Sequence, residues 1–584
     1  MIFFVHSQIN QAALVTQLGL PQYSYFFVLD KFIPLLERLG RVVILEHPED
    51  ADAQFDAWTA QGETCVFLSF TPPHYSYTPE RCPTLTVFAW EFTNLPDETW
   101  EGETGRSWQQ VFAAQAGAIP LSTHTEELVR QAMGPDYAVK AIPVPVWDSF
   151  EQQRRRGGAG ACKERRELSV SVQVIDSHNY IFGEHEFRLL NPDAQFNFPD
   201  WDHQTLRMSY SVDDEHAAYL GGFYDNEPWG TWSRLPDPWI LLPVAITGNL
   251  TLEIEAAAYG PNVGRTISVQ VGDQLHSLTL QGAFQVYTLA FQVSAKTCLI
   301  KFHDLSLRPV RDAVDPRTMG LGLRHITLRS HELDLQPCTA DTPTPTALCT
   351  LSLEGVVYTS VLNPTDHRKN WLDMVTAFCY AFRDCSDATL ILKMTHRSLT
   401  PFLGKLHLLL EQCQPFKCRV IALHGYLDKT QFDALIDAST YYVSASLCEG
   451  LCLPLMEFMS CGVPALATRN TAMLDYVDDD SNFIIDSSAA PTIWPHDPRN
   501  VIRTLQNRVN WQSIVDAYWQ SYEVAKQQPE RYQSMARCST DKMREFCSLP
   551  ATEAKLRQLL AQALNASTST DSKLLSKNPG LSLV

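Results

Sequence analysis

The chain has 584 residues, 45% of them apolar and 19% charged, with 13 Trp and 28 Phe. At about 100–200 residues per domain this length holds three or four units, and the composition excludes a disordered or fibrous chain. Lys plus Arg (46) against Asp plus Glu (66) leaves a net charge of −20, which disfavours nonspecific binding to nucleic acid or to an anionic membrane.

No apolar run reaches the roughly 18–20 residues that a bilayer crossing needs. The N-terminal MIFFVHSQINQ lacks the basic start and long apolar core of a signal peptide. The expectation is a cytoplasmic protein with at most peripheral contact at the inner face of a membrane. The 15 cysteines are scattered without a C-x-x-C pair, which fits reduced thiols and predicts neither a disulfide framework nor a structural zinc site.

In chain order, residues 1–150 alternate short apolar runs (IFFVH, RVVILEH, TCVFLSF, PTLTVFAWEF) with helical periods, the pattern of a doubly wound parallel α/β domain. Residues 151–167, with QQRRRGGAGACKERRE, read as a Gly/Arg-rich linker. Residues 168–335 change to period two (LSVSVQVI, WILLPVAI, LTLEIEAAAY, TISVQVG, VYTLAFQV), which predicts a β-sandwich of jelly-roll type. A second doubly wound domain spans 349–495, a helical segment 496–565 is expected to cross back to the first domain, and 566–584 is expected to fray.

The densest chemistry lies in YYVSASLCEGLCLPLMEFMSCGVPALAT. Glu449 and Glu457 flank a Gly turn and a helix opened by Pro454, so the amides of Gly450, Leu451, Cys452 and Leu453 stand at a helix N-terminus, where an anion is favoured. Glu457, one turn in, suits two vicinal hydroxyls such as those of a ribose. On residues alone, two ordinary carboxylates flanking a helix start fit as well.

The segment resembles the E-x7-E signature of the retaining family-4 (group 1) glycosyltransferases of the GT-B fold. It matches at Glu449, Gly450, Leu453, Pro454, Glu457, Gly462 and Pro464. The resemblance implies two Rossmann-like domains facing a cleft. It also implies that Glu457 holds the nucleotide ribose, that Glu449 contacts the transferred sugar, and that no metal or other cofactor is required. The family has an Arg after the first strand of this domain and a Lys about six residues later. Here Asn363 stands in the Arg position and Lys369 in the Lys position, with Arg368 as a candidate second cation for the departing diphosphate.

Tyr426 and Leu427 fall where the family contacts the base, and Lys393 ends a strand toward the same crevice. In the first domain, FAWEFTNLP offers Glu91 either as a carboxylate at a strand end that orients an acceptor hydroxyl or takes its proton, or equally as a capped loop carboxylate. Trp229 and Trp232 are candidates for stacking on sugar in the β-rich domain, against the alternatives of a core role or a protein contact. The acidic run 478–480 reads as a solvated turn. The implied partners are a UDP- or GDP-linked sugar donor and an oligosaccharide or lipid-linked glycan acceptor, in bacterial surface-polysaccharide synthesis. A catalytically silent glycan-binding scaffold, or a phosphorylase or epimerase on the same fold, are the alternatives.

Overall fold

The computed structural model describes residues 1–9, 19, 23–96, 107–155, 165–182, 187–189, 201, 205–211, 220–224, 226–309, 317–331, 348–396, 400–494 and 501–575. The first unit is a five-stranded parallel sheet. Its strands run Arg41–Ile44, Ile2–Ser7, Cys65–Phe70, Thr84–Phe88 and Gly117–Pro120 across the sheet. Cys65–Phe70 and Thr84–Phe88 are buried throughout because helices cover both faces of a parallel sheet. The helix Tyr23–Glu37 buries Tyr25, Val28, Leu29, Phe32, Leu35 and Leu36, a stripe at spacings of three and four, each contributing about 1.5–3 kcal/mol of burial. The helix Thr123–Met133 starts at Ser122, whose hydroxyl accepts the Thr125 amide, and stops at Gly134, where φ is +89°.

The second unit holds six parallel strands and one antiparallel edge strand. In spatial order they are Asn482–Ile485, Ala465–Thr468, Tyr441–Ser444, Val356–Leu362, Ala388–Met394, Arg419–His424 and Gln173–Asp176. Chain order reverses between Val356–Leu362 and Tyr441–Ser444. Ligands of an open α/β sheet bind at such a switch point, outside the carboxyl ends of the strands.

The edge strand corrects the sequence reading, which put LSVSVQVI with the β-rich domain. Arg165–Val170 pairs instead with Cys349–Glu354, and Gln173–Asp176 pairs with Arg419–His424. Arg419 clamps the edge strand through Asp176 at 2.5 Å. Period-two burial reports a half-buried strand but not the sheet it joins. Within the linker range, Glu151–Arg155 is helical and the strand has begun at Arg165.

Between these elements, eight strands within 205–330 form one antiparallel sheet, and Arg308–Pro309 pairs separately with Thr318–Met319. Trp239–Ala258 and Gln285–His303 are its long central pair, with register shifts at Leu241/Ile246 and Ile246/Gly248 that bend it. Leu250, Leu252, Ile254 and Ala256 alternate into its core. That core runs on into one face of the second unit: the Trp239 and His407 rings are 6.2 Å apart, and Arg234 pairs with Glu411 at 3.0 Å.

The C-terminal segment is helical with one exception: Thr504–Val509 is a strand paired with Ser487–Thr492. The helices Trp511–Gln527, Pro529–Cys547 and Leu549–Leu575 follow, the last running ten residues into the stretch expected to fray. This segment returns to the first unit. The Trp147 indole donates to the Thr540 carbonyl at 3.2 Å, Asp148 accepts the Leu549 amide at 2.7 Å, and Arg38 pairs with Glu553 at 2.6 Å. No helix among the described residues is long and apolar enough to cross a membrane.

Candidate functional site

The switch point of the second sheet brings together the loops after Val356–Leu362 and Tyr441–Ser444, and with them Lys369 and Glu449. The Lys369 ammonium lies 2.6 Å from Glu449 Oε1, which also accepts the Ser446 hydroxyl at 2.6 Å. Oε2 accepts nothing among the described residues, so one lone-pair face of this carboxylate is open to a substrate hydroxyl. Burial opposes the Lys369 charge, but Glu449 outweighs it and holds the ammonium above its ordinary range.

Thr471 fixes the Glu449 backbone from below. Its hydroxyl accepts the Glu449 amide at 2.8 Å and donates to the Glu449 carbonyl at 2.9 Å. Thr471 sits at φ +42°, a left-handed conformation that costs a β-branched residue about 1–3 kcal/mol and persists only where contacts over-determine it. Thr471→Val keeps the strain and removes both bonds, so urea unfolding is expected to show a loss of about 1–3 kcal/mol. Thr471→Gly, which removes the strain as well, should lose less.

The helix Leu453–Ser460 begins after Cys452, itself at φ +62°, with Pro454 in its first turn. Among the described residues the amides of Gly450, Leu451, Cys452 and Leu453 donate to no acceptor, although the first three residues are buried. Free N–H groups at a helix N-terminus favour an anion. Gly450 also allows the two α/β units to meet: a Cβ there would stand 2.8 Å from Ala89 Cβ and 3.1 Å from the Trp90 amide nitrogen. One turn on, burial pushes the Glu457 carboxyl up to about 7, against the pull of Lys31 and Lys429. Lys31 belongs to the helix Tyr23–Glu37 of the first unit, so that helix reaches over the second unit at this point. Tyr23, from the same helix, is raised by burial and then by Tyr426, while Tyr426 is raised by burial and then by Asp428 and Asp30.

Three expected assignments change. Arg368 is already paired: Nη1 lies 2.8 Å from Glu91 Oε1, and Nε and Nη2 hold Asp366 at 3.1 and 2.7 Å. Arg368 therefore joins the two units through Glu91 and is not a free cation for a diphosphate. Glu91 is turned to Arg368, not outward as an acceptor base. Burial raises its pKa while Arg368 opposes the rise. Asn363 is likewise occupied, donating to the Gly19 carbonyl at 3.0 Å and accepting from the Thr365 amide at 3.2 Å and hydroxyl at 2.9 Å.

Tyr426 is half-buried at the loop after Arg419–His424. The Leu427 side chain is core, which leaves only its backbone for a ligand. Trp229 and Trp232, far along the chain in the β-rich sheet, meet edge to face at 5.3 Å, and the Trp229 indole donates to Glu227 at 2.7 Å. In the acidic run, Asp478 caps Ser481 and pairs with Lys542 at 3.2 Å, and Asp479 lies 3.7 Å from Arg469. Sequence reasoning missed Thr471, Ser446, Asp366 and Lys31. A hydroxyl residue at positive φ carries no spacing signal, and the others act only through contacts that the fold creates.

Residues 418–493, which carry the Gly450–Leu453 amides, Glu449 and Glu457, match the family described as Glycosyl transferases group 1. This segment belongs to the group 1 glycosyltransferases. The group 1 segment covers the second half of the α/β unit, while residues 200–330 match a domain of unknown function, DUF7024. No curated protein is significantly similar to the chain.

Among solved structures, a glycosyltransferase from Rickettsia africae is 13% identical with a TM-score of 0.27, over 36% of this chain and 48% of that one. A sucrose-phosphate synthase from Thermosynechococcus elongatus is 16% identical with a TM-score of 0.28, over 36% and 46%. The C-terminal domain of a group 1 glycosyl transferase from Francisella tularensis is 18% identical with a TM-score of 0.24, over 32% and 85%. The chain thus spans about half the length of the first two.

Proposed function

We propose that the protein is a retaining GT-B glycosyltransferase that moves a hexose from a UDP- or GDP-linked donor to an oligosaccharide or lipid-linked glycan, in bacterial surface-polysaccharide synthesis. The observation that carries this reading is the set of four unpartnered amides at Gly450–Leu453, with Lys369 and Glu449 beside them at the switch point. The diphosphate of the donor binds at those amides, Glu457 accepts both ribose hydroxyls, and Tyr426 covers the base.

The open Oε2 of Glu449 receives a hydroxyl of the transferred sugar. Lys369, with two donors not used by Glu449, stabilises the charge that develops on the leaving diphosphate. No metal or other cofactor has a part in this proposal. Contact between the units at Gly450 and through Arg368–Glu91 excludes water and limits hydrolysis of the donor.

For the acceptor, a cavity of about 520 Å³ opens at the corresponding switch point of the first sheet, lined by His6, Gln8, Glu49, His74, Tyr75 and Gln110 among others. Its hydroxyl-, amide- and imidazole-bearing walls suit a polyol. We further propose that the bent sheet of the inserted unit closes as a sandwich and holds glycan on Trp229 and Trp232. The occupied Arg368 and Asn363 favour a second reading, a glycan-binding scaffold without turnover.

Thermal unfolding with UDP, GDP and ADP is the discriminating measurement. A ligand that binds only the folded chain at 100 times its Kd stabilises it by about 2.7 kcal/mol. One nucleotide is expected to raise Tm and the others not. A folded protein indifferent to all three would reject the donor site, and binding without release of nucleotide from any sugar donor would favour the scaffold.

A further inference from the structure

Lys393 ends the strand Ala388–Met394, at the carboxyl edge of the second sheet between the loops that carry Asn363 and Tyr426. Leu390, Leu392 and Met394 face one core and Ile391 the other, so alternation puts Lys393 on the face of Ile391. The helix Leu453–Ser460 packs on that same face through Leu455, Met456, Phe458 and Met459. Lys393 is 5% exposed, yet its ammonium has one hydrogen bond, to Thr395 Oγ1 at 2.5 Å, and no carboxylate among the described residues pairs with it. The sequence 10–22, on either side of Gly19, and 397–399, just after Lys393, hold no Asp or Glu.

A buried ammonium with two unused donors is costly unless an anion arrives. Among the described residues of the preceding loop, both cations already face carboxylates. Arg368 and Lys369 are set against Glu91, Asp366 and Glu449, two positive charges against three negative, before any diphosphate binds. We propose that Lys393 is a further cation, beside Lys369, that meets a phosphoryl oxygen of the donor's diphosphate as it binds, with Arg368 holding Glu91 and Asp366. This rests on the donor-site reading above.

Among the described residues, the titratable groups on the surrounding elements include His396 and His424 at the strand ends, Tyr426, Tyr23, Glu457, and Arg368 and Lys369 in the preceding loop. None of them shifts Lys393, and burial alone lowers it to about 7. Free Lys393 is therefore mostly neutral at pH 8, and a bound phosphoryl group restores its charge. Donor binding at pH 8 takes up a proton, while Glu457, already largely ionised there, releases little.

The test is calorimetric titration of the full chain with UDP, GDP and ADP at pH 8, in two buffers of different ionisation enthalpy. It is run on the wild type and on Lys393→Met, with thermal unfolding to show that the variant is folded. The nucleotide that binds is expected to take up roughly 0.5–1 proton per site. Lys393→Met should bind it about 10- to 100-fold more weakly and without uptake, while the matching nucleoside binds both chains alike. Binding to the wild type without uptake overturns the inference and leaves the donor site standing, and this holds even if the variant fails to fold. Equal loss for the nucleoside overturns the phosphoryl assignment. No binding by any of the three nucleotides sinks the donor site and the inference together.

Discussion

Glu457→Gln is expected to unfold at a higher temperature than the wild type at pH 8 while binding the donor nucleotide about 10- to 100-fold more weakly. The stability side follows from burial. The Glu457 carboxyl holds its proton up to about pH 7 in the folded chain, against an ordinary value of 4.5. An acid whose pKa is raised by folding binds its proton more tightly in the folded state, so its ionisation favours unfolding. That penalty is absent below pH 4.5, grows between 4.5 and 7, and is complete above 7. Discounted for partial solvent access, it is on the order of 1–3 kcal/mol at pH 8.

Glutamine resembles the protonated acid, so the variant gains that amount at pH 8 and almost nothing near pH 5. The binding side runs the other way, because an ionised carboxylate accepts two vicinal hydroxyls and an amide oxygen accepts them less strongly. Tm and nucleotide affinity measured from pH 5 to 8 check both parts. A variant less stable than the wild type at pH 8 would mean that Lys31 and Lys429 hold Glu457 ionised. A carboxylate kept in so unfavourable a place is explained by a ligand and not by the fold.

The part of the site that was legible in the sequence lies within one continuous stretch. Glu449, the four amides and Glu457 span a strand end, a turn and a helix start, so local chain geometry alone sets their relation. Lys369 was legible for the same reason, one loop after a strand. The partners of Arg368 were not. Asp366 is two residues away, but Glu91 lies on the other α/β unit, and its 2.8 Å contact exists only because Gly450 lets the units close.

The basic pair at 368 and 369 therefore splits by role, Arg368 facing Glu91 and Asp366 and Lys369 facing Glu449, although the two are adjacent and both cationic. The same limit governs the strands. Alternation found Gln173–Asp176 and missed its sheet, because the Arg419–Asp176 clamp that decides it joins residues distant in sequence. The strand Thr504–Val509 was read as helix, since a hairpin edge with intermediate burial carries little period of either kind.

Lys369 tests whether the site is built for stability or for turnover. Lys369→Met leaves the Glu449 carboxylate, whose side chain is 5% exposed, with only the Ser446 hydroxyl for company. An unpaired buried charge of this kind destabilises by on the order of 3 kcal/mol. Adding Glu449→Gln removes the charge, and the double variant is expected to recover most of that stability, since a neutral amide still accepts from Ser446. Turnover of the sugar nucleotide should not recover. In the proposed transferase reaction the ammonium acts on charge that appears only as the diphosphate leaves, and losing one such group lowers kcat by about 10²–10³. Urea unfolding and kcat across the four chains of the cycle separate the two roles. Recovery of turnover together with stability would reduce Lys369 to a counter-ion for Glu449. Stability restored with turnover still lost is the result that a transferase site requires.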